Sequence, residues 1–462
     1  MTATRRTFLK GSIATGLAFG GLAAYFGYRY YNQPYKPGKN GYGPLVDDPL
    51  GLLSLPKGFQ YRVLSRTGQE MSDGLWLPGR PDGMATFPGP GGKVIAVRNH
   101  ELTAGDTDTS PYGADESRFK LVDPSRLYDA GEPGARQLGG TTTFVFNPET
   151  RLIEKQFMSL GGTLRNCAGG PTPWGSWLSC EETVWLTGRD GRQKNHGYVF
   201  EVPARTDGGL VDPVPLKDMG RFMHEAAAVD PRTGVVYLTE DQNEALFYRF
   251  LPRRPGELEA GGRLQALAVK GREGLDTRNW DDITVKPGDE LEVYWIDLEN
   301  PDPPENTLRL EGHADGAAIF ARGEGAWFGN GELYFACTSG GADELGQIWR
   351  YRPSPNEGTA GESEAPGRLT LFVESNDDEL MEMVDNITVA PWGDLIICED
   401  GPGQDYLRGV TPEGDIYTFG RNDSSGSEFA GACFTPDGKT LLVNMQTDEV
   451  TVAIWGPWDG RG

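Results

Sequence analysis

The chain has 462 residues and a formal net charge of −24 at pH 7, and it contains 65 glycines and 33 prolines. An acidic surface repels nucleic acid and anionic lipid at long range, so neither is expected as a partner. An anionic substrate would need bound cations or a local arginine to be held. The abundance of turn residues, with almost no sustained apolar period of 3.6 residues, predicts an all-β chain of short strands.

The N-terminal residues match a twin-arginine export signal. Residues 4–10 read TRRTFLK, and an apolar stretch rich in glycine and alanine follows over residues 11–26. This pattern predicts a signal segment over residues 1–32, recognised by the twin-arginine export machinery, and a linker over residues 33–47. The domain that follows is expected outside the cytoplasmic membrane, in the periplasm, on the cell envelope or secreted. We expect a monomer that touches the membrane only through residues 1–32, if this segment stays uncleaved.

A sequence pattern typical of a strand, a turn and a second strand recurs along residues 48–462. Residues 172–182 (TPWGSWLSCEE) and 390–400 (APWGDLIICED) match at Pro, Trp, Gly, Cys and Glu in the same register. Weaker copies lie at residues 87–101, 228–241, 327–338 and 434–446. Because each such repeat forms one supersecondary unit, the six copies predict a single catalytic domain over residues 48–462, a six-bladed β-propeller with loop insertions.

The two termini and the longest polar segments fit one domain. Ring closure is expected to pair a strand near residues 59–64 with one near residues 452–455, because a propeller completes one blade from both termini. Residues 252–262 and 353–367 are rich in Pro, Gly and Glu. They are therefore predicted to be surface loops or insertions, and not domain boundaries.

Aligning the copies produces two columns of polar residues. The first column, just before the inner strand, contains Cys167, Glu225, Glu324 and Asp385, with Asp82 as a looser fit. The second column, at the end of the next strand, contains Asn99, Glu101, Glu181, Glu182, Glu240, Asp241, Glu399, Asp400, Asn444 and Gln446. Equivalent positions in a propeller are related by rotation about its axis, so the first column is expected to converge on one mouth of the channel.

Converging carboxylates predict bound cations, because they would otherwise repel one another. Oxygen ligands suit calcium, whereas a thiolate in the same ring favours a softer or more highly charged metal such as iron or zinc. Mixed ligation implies more than one metal. For the second column, an alternative is that strand-end Asp, Glu and Asn cap loops without touching a metal.

The absence of several well-known motifs argues against other kinds of active site. The sequence has neither a G-x-S-x-G elbow nor an H-E-x-x-H motif, and its four histidines are too few for histidine-rich metal chemistry. Four cysteines lie within apolar strands and are interpreted as core thiols: Cys180, Cys337, Cys398 and Cys433. Cys167 differs because small residues follow it in the segment NCAGG, where they leave room for close approach of the backbone.

From residue 166 to residue 182 (NCAGGPTPWGSWLSCEE) the sequence resembles the PhoX-type alkaline phosphatases. The resemblance covers nearly the whole chain and extends to residues 224–231 (HEAAAVDP), 322–324 (RGE) and 385–400. It implies a β-propeller enzyme exported by the twin-arginine route, with iron and calcium as cofactors and small phosphoesters as substrates.

The resemblance also implies roles for individual residues. Cys167 would be the thiolate ligand to iron, and Glu225 and Glu324 would be carboxylate ligands. Four further residues are carried over as ligands or as residues that surround the ligands: Glu181, Glu182, Asp385 and Glu399. Arg322 would contact the substrate phosphate and stabilise developing charge. The implied reaction is hydrolysis of a phosphomonoester, in which a metal-bound oxide or hydroxide attacks phosphorus.

Two other classes of function stay open on the sequence. A calcium-dependent propeller lactonase or phosphotriesterase would need oxygen ligands only, so Cys167 would then be a core thiol. A calcium-stabilised propeller without catalysis would serve as a binding module. The metal content and the role of Cys167 distinguish these classes from a phosphatase.

Overall fold

The computed structural model describes residues 41–460, and the statements below concern these residues. The predicted signal segment, residues 1–32, lies outside the described residues, as does the first part of the predicted linker. Within residues 41–460, no helix is long and apolar enough to span a bilayer. Strands are the main regular element of the described residues, which also contain seven short 3-10 helices and one short α-helix, α1 (Leu308–Ala314).

The strands are short and antiparallel, in agreement with the all-β prediction. In chain order they are β1 (Leu45–Val46), β2 (Leu53–Pro56), β3 (Gln60–Arg66), β4 (Pro81–Pro88), β5 (Val94–His100), β6 (Gly139–Asn147), β7 (Leu152–Thr163), β8 (Asn166–Pro171), β9 (Ser176–Glu181), β10 (Val199–Pro203), β11 (His224–Val229), β12 (Val236–Glu240), β13 (Tyr248–Pro252), β14 (Gly262–Val269), β15 (Glu290–Asp297), β16 (Gly323–Gly329), β17 (Glu332–Cys337), β18 (Gln347–Arg352), β19 (Arg368–Glu374), β20 (Val384–Val389), β21 (Leu395–Glu399), β22 (Tyr406–Val410), β23 (Ile416–Asn422), β24 (Phe429–Phe434), β25 (Leu441–Met445) and β26 (Val450–Trp455). The β-branched and aromatic residues that favour strands recur in them, as in VYLTE of β12 and YRFLP of β13.

Five hydrogen-bonded sheets form within the described part of the chain. Their strand orders are β4-β5-β6-β7, β10-β9-β8, β11-β12-β13-β14-β15-β19-β18-β17-β16, β1-β2-β23-β22-β21-β20 and β24-β25-β26-β3. The inner strands β4, β8, β11, β16, β20 and β24 pack against one another in that order, and β24 packs back against β4. The inner strands therefore close a ring, and the architecture is propeller-like.

The prediction of six separate blades differs from the sheets that form. Strand β15 pairs with β14 through residues 293–297 and with β19 through residues 290–292, so two repeats merge into one nine-stranded sheet. The merger follows from the length of β15, whose two ends reach different partners. In addition, Leu45 and Val46, which fall in the predicted linker, form β1 and pair with β2.

The predicted ring closure is confirmed, since β3 pairs with β26 from Gln60 opposite Trp455 to Arg66 opposite Val450. Residues 252–262 connect β13 to β14, as expected for a loop.

The second predicted insertion is less exposed than a surface loop. Within residues 353–367, Glu357 is 3% exposed. Its Oε1 lies 2.6 Å from Nη1 of Arg249, a side chain that is itself buried. The segment is therefore anchored to the neighbouring repeat by a buried ion pair.

The hydrophobic core lies between adjacent repeats. Phe247 and Phe335, which belong to neighbouring repeats, stack with ring centroids 4.2 Å apart. The predicted core thiols are confirmed, because all four are free and at most 1% exposed: Cys180, Cys337, Cys398 and Cys433. The packing of these faces holds the inner strands in their ring.

The close approach of two inner strands depends on Gly170. A Cβ at this position would lie 1.6 Å from the carbonyl oxygen of Ala227 in the next inner strand. We therefore expect Gly170→Ala to lower the free energy of unfolding by about 3 kcal/mol in a urea titration. Gly403→Ala is the matched control, because no heavy atom lies within 4 Å of a Cβ built there. Equal stability of the two variants would contradict the close packing of β8 and β11.

Candidate active site

One end of the ring opens into a cavity of about 150 Å³ with a strongly acidic wall. It is lined by Asp82, Glu101, Arg165, Cys167, Glu182, Glu225, Asp241, Arg322, Glu324, Thr338, Asp385, Asp400, Glu428 and Gln446. Nine of these side chains are carboxylic acids and two are arginines, so the wall has a formal charge of −7 when every acid is ionised. The cavity is thus a place where cations would bind strongly.

Five inner strands place their second residue in this cavity. These residues are Asp82 in β4, Cys167 in β8, Glu225 in β11, Glu324 in β16 and Asp385 in β20. In each case the position lies inside a shift of register in the pairing with the next strand. Such a bulge adds one residue to the inner strand and re-aims a side chain. The structure therefore brings together the whole first column, including the looser Asp82.

A second set of cavity residues follows directly after the second strand of each repeat. The set consists of Glu101, Glu182, Asp241, Thr338, Asp400 and Gln446. The backbone N–H groups of these residues donate, in the same order, to the carbonyl groups of Arg80, Arg165, Met223, Arg322, Met383 and Glu428, at 2.9 to 3.2 Å. The same backbone hydrogen bond thus recurs six times around the cavity, which fixes the position of its wall.

Two residues that the resemblance implies as ligands, or as residues that surround the ligands, do not line the cavity: Glu181 and Glu399. Each is the last residue of its strand, β9 or β21. Successive side chains of a strand point to opposite sides, so Glu182 and Asp400 enter the cavity in their place. Of the two roles that the resemblance implies for Glu181 and Glu399, the structure therefore favours a position around the ligands.

Both of these carboxylates hold neighbouring segments of the chain instead. Glu181 accepts a hydrogen bond from the N–H of Leu164 at 2.9 Å and pairs with Nδ1 of His196 at 2.6 Å. Glu399 accepts a hydrogen bond from Nε of Arg408 at 2.8 Å. Both side chains thus make the contacts expected under the alternative that strand-end residues cap loops.

Three cavity residues are absent from the two columns and from the residues that the resemblance implies: Arg165 and Glu428, which stand before the first column, and Thr338, the last residue of a weaker copy. Arg165 and Glu428 occupy the position that Arg322 has in its own repeat. A signal was present for Arg165, since it precedes Cys167 by the same spacing that separates Arg322 from Glu324. The predicted ligands also leave out three cavity carboxylates of the second column: Glu101, Asp241 and Asp400.

Burial in this cavity makes ionisation of its acids unfavourable. It raises the pKa of Asp82, Glu225, Glu324 and Asp385 well above the usual values, and neighbouring carboxylates raise them further. Burial also raises the pKa of Glu182 to about 8. A bound cation would reverse this effect, because it stabilises the ionised form.

The donor atoms of the cavity fit metal ions. One group comprises Cys167, Glu182 and Glu225, and the other comprises Glu225, Glu324 and Asp385; in each group, one ligand atom per residue lies within 4.8 Å of the others. Burial, and then the Glu225 carboxylate, raise the pKa of the Cys167 thiol, so a metal would be needed to hold it as a thiolate. The first group combines sulfur and oxygen donors, whereas the second offers oxygen alone.

Arg322 lies in the wall with one edge of its guanidinium fixed. Its Nε and Nη2 donate to the two carboxylate oxygens of Asp241, each at 2.7 Å, and Nη2 lies 3.2 Å from Glu324. Its Nη1 has no hydrogen-bond partner among residues 41–460. The carboxylates therefore orient the guanidinium and leave one donor group for a bound molecule.

Arg165 repeats this arrangement. Its Nη2 lies 2.9 Å from Glu101 and also donates to the carboxylate of Glu182, while its Nε donates to the carbonyl of Glu182 at 3.1 Å. Its Nη1, too, has no hydrogen-bond partner in the described part of the chain. The Arg165 and Arg322 side chains are 33% and 34% exposed, so a molecule in the cavity mouth can reach both.

The ring of strands and its cavity together define a propeller-like hydrolase, with donors for metal ions and arginines for an oxyanion. The chain belongs to the PhoX alkaline phosphatase family, since the family model, described as alkaline phosphatase PhoX, matches residues 40–449. It is therefore a phosphoric monoester hydrolase, and the family resemblance read from the sequence is confirmed. The lactonase, phosphotriesterase and binding-propeller alternatives lose their support.

Similarity to a solved structure supports this fold. The chain is similar to Pseudomonas fluorescens PhoX in complex with vanadate, a transition state analogue, with a TM-score of 0.67 and 19% identity over 90% of this chain and 98% of that chain. It is also similar to a gluconolactonase from Xanthomonas campestris, with a TM-score of 0.40 and 11% identity over 90% of this chain and 98% of that chain. The second likeness is too distant to bear on function. A comparison with curated protein sequences finds no match.

The raised pKa values predict an unusual pH dependence for metal-free protein. Glu182 has a pKa of about 8 in the folded state against 4.5 as the ordinary value, so the folded state binds more protons than the unfolded state between these pH values. Stability should then fall as pH rises through this window, and we expect the Tm in a chelator to drop by about 5 °C or more from pH 5 to pH 8.

Addition of calcium and iron to the same samples should remove this drop, because bound cations keep the carboxylates ionised. Thermal unfolding followed by circular dichroism measures both effects. A Tm in the chelator that is the same at pH 5 and pH 8 would show that burial among the other acids does not raise the pKa of Glu182.

Proposed function

We propose that this phosphatase releases phosphate from organic phosphomonoesters outside the cytoplasmic membrane, with iron and calcium as cofactors. The observation that carries the proposal is the pair Arg165 and Arg322, each with a free Nη1 beside a cavity lined by nine acids. A phosphate group is repelled by such a wall unless bound cations offset its charge. With the cations in place, the two arginines become the protein's own donors to the phosphate.

The two donor groups suit different ions. Cys167, with Glu182 and Glu225, supplies sulfur as well as oxygen, and this combination favours iron. Glu225, Glu324 and Asp385 supply only oxygen, which calcium prefers. When bound, such ions would neutralise the carboxylates, polarise a phosphoryl group and lower the pKa of a coordinated water.

The residues of the chain itself orient the phosphate. Asp241 holds the Nε and Nη2 edge of Arg322, so Nη1 is the group left to donate to a phosphate oxygen. Glu101 and Glu182 hold Arg165 in the same way. Because both guanidiniums are fixed before substrate binds, little side-chain entropy is lost on binding. Both can then stabilise the negative charge that the phosphoryl oxygens carry during transfer.

We also propose that the propeller counts as six-bladed, with the nine-stranded sheet forming two blades that β15 joins. Six inner strands and six copies of one backbone hydrogen bond support this count.

Export by the twin-arginine route is supported by TRRTFLK at residues 4–10. Transport of a folded protein would allow the metals to be inserted before the protein crosses the membrane.

Removal of either arginine tests the proposed phosphate contacts. We expect Arg165→Ala and Arg322→Ala each to lower kcat/KM for 4-nitrophenyl phosphate by about 10²- to 10³-fold, the usual effect of losing one donor to developing charge. Elemental analysis of the variants should show unchanged metal content. The control is Arg254→Gln, because Arg254 is 65% exposed on the loop between β13 and β14. Wild-type kcat/KM in both alanine variants would exclude the proposed contacts.

A further inference from the structure

Three of the six equivalent positions that accept the recurring backbone hydrogen bond are arginines: Arg80, Arg165 and Arg322. All three have a left-handed backbone, with φ of 43°, 45° and 51°. This conformation is uncommon for residues other than glycine, so the frame of the cavity holds each arginine in place. Two of these arginines serve the cavity, and the third has no role in the reaction described above.

Arg80 lies next to Arg165, with one carboxylate between them. Oε1 of Glu101 is 2.9 Å from Nη2 of Arg165, and Oε2 of the same group is 3.8 Å from Nη1 of Arg80. The Arg80 side chain is 50% exposed, against 33% for Arg165. Arg80 therefore stands on the rim of the cavity, one carboxylate further from its interior.

The Arg80 guanidinium is held by charge without a hydrogen bond. Its two nearest carboxylate contacts, to Glu101 and Asp106, are both 3.8 Å long, which exceeds hydrogen-bond distance. No described residue accepts a hydrogen bond from its side chain, so its N–H groups are available to an anion from solvent. A planar guanidinium with free N–H groups binds carboxylate or phosphate in a bidentate manner.

We propose that Arg80 binds a second anionic group of the substrate, while Arg165 and Arg322 bind the phosphate that is hydrolysed. The preferred substrates are then phosphomonoesters with a further carboxylate or phosphate on the same small molecule. This inference rests on the proposed function. The acidic surface of the chain, with a net charge of −24, repels such substrates, and an arginine on the rim offsets that repulsion where the second group binds.

A matched pair of substrates measures this contact. Glycerol 3-phosphate and 3-phosphoglycerate share a three-carbon skeleton and one phosphate, and the second compound has a carboxylate in place of the terminal hydroxymethyl group. We expect wild-type enzyme to have the higher kcat/KM for 3-phosphoglycerate. In Arg80→Asn, kcat/KM for 3-phosphoglycerate should fall about tenfold more than kcat/KM for glycerol 3-phosphate, as expected for loss of one charge-assisted contact.

Asparagine is chosen because it tolerates the left-handed backbone at this position, so the fold should be retained. Arg80→Lys keeps the charge and should recover part of the preference for 3-phosphoglycerate. Arg254→Gln, remote from the cavity, should leave this preference as in the wild type. If Arg80 only orients Glu101, Arg80→Asn should lower kcat/KM by the same factor for both substrates. The ratio of the two kcat/KM values therefore distinguishes binding of the second anion from a structural effect.

The two levels of the proposal fail in different ways. If wild-type and Arg80→Asn enzymes hydrolyse both compounds with the same ratio of kcat/KM, the role of Arg80 is overturned and the proposed function stands. If the metal-loaded wild-type enzyme hydrolyses neither these compounds nor 4-nitrophenyl phosphate, the proposed function is overturned and the role of Arg80 falls with it.

Discussion

Nine carboxylic acids share a cavity of about 150 Å³ with two arginines, and the burial of these acids, together with their mutual repulsion, governs the chemistry of this molecule. In the absence of cations, burial favours the protonated acids, as the pKa of about 8 at Glu182 shows. Protonated acids are poor ligands for cations, so in that state the cavity lacks the bound cations that would hold a phosphate. When cations bind, the carboxylates are ionised and their negative charge is offset, so that an anion can approach the wall. The acidity of the site and its selectivity for a phosphoester thus have one origin.

Adjacent acids in the sequence have different roles: one stabilises the surrounding chain by hydrogen bonds, and the next faces the cavity. At the end of β9, Glu181 braces nearby backbone while Glu182 faces the cavity, and the last residue of β21 is related to Asp400 in the same way. One carboxylate of each pair therefore stabilises the frame that positions the other. The left-handed backbone at Arg165 and Arg322 adds strain that the recurring hydrogen bonds of the frame must offset.

The repeat pattern in the sequence predicts most of this frame, because rotation about an axis relates positions that recur in register. It predicts that Cys167, Glu225, Glu324 and Asp385 meet, and it predicts the closure between β3 and β26. It cannot show which of two adjacent acids faces the cavity, since that depends on the register after a bulge. For this reason the repeat pattern places both Glu181 and Glu182 in the second column, although only Glu182 lines the cavity.

Other features depend on contacts that no local pattern encodes. The merger of two repeats through β15 depends on how far that strand extends past its first partner. The part played by Arg165 depends on a backbone conformation that arginine rarely adopts, and on carboxylates of two different repeats that fix its guanidinium. The resemblance implies the class of reaction and a phosphate contact for Arg322, whereas Arg165 becomes a candidate only through the geometry of the cavity.

The central claim is that Cys167 and the carboxylates bind iron and calcium in one cavity. The most direct test is elemental analysis of full-length protein exported by its native route, with Cys167→Ala beside Cys433→Ala, a buried core cysteine away from the cavity. The account predicts iron and calcium in the wild type and in Cys433→Ala, with loss of iron in Cys167→Ala. Calcium alone, in equal amounts in all three proteins, would contradict it and would leave Cys167 as a core thiol.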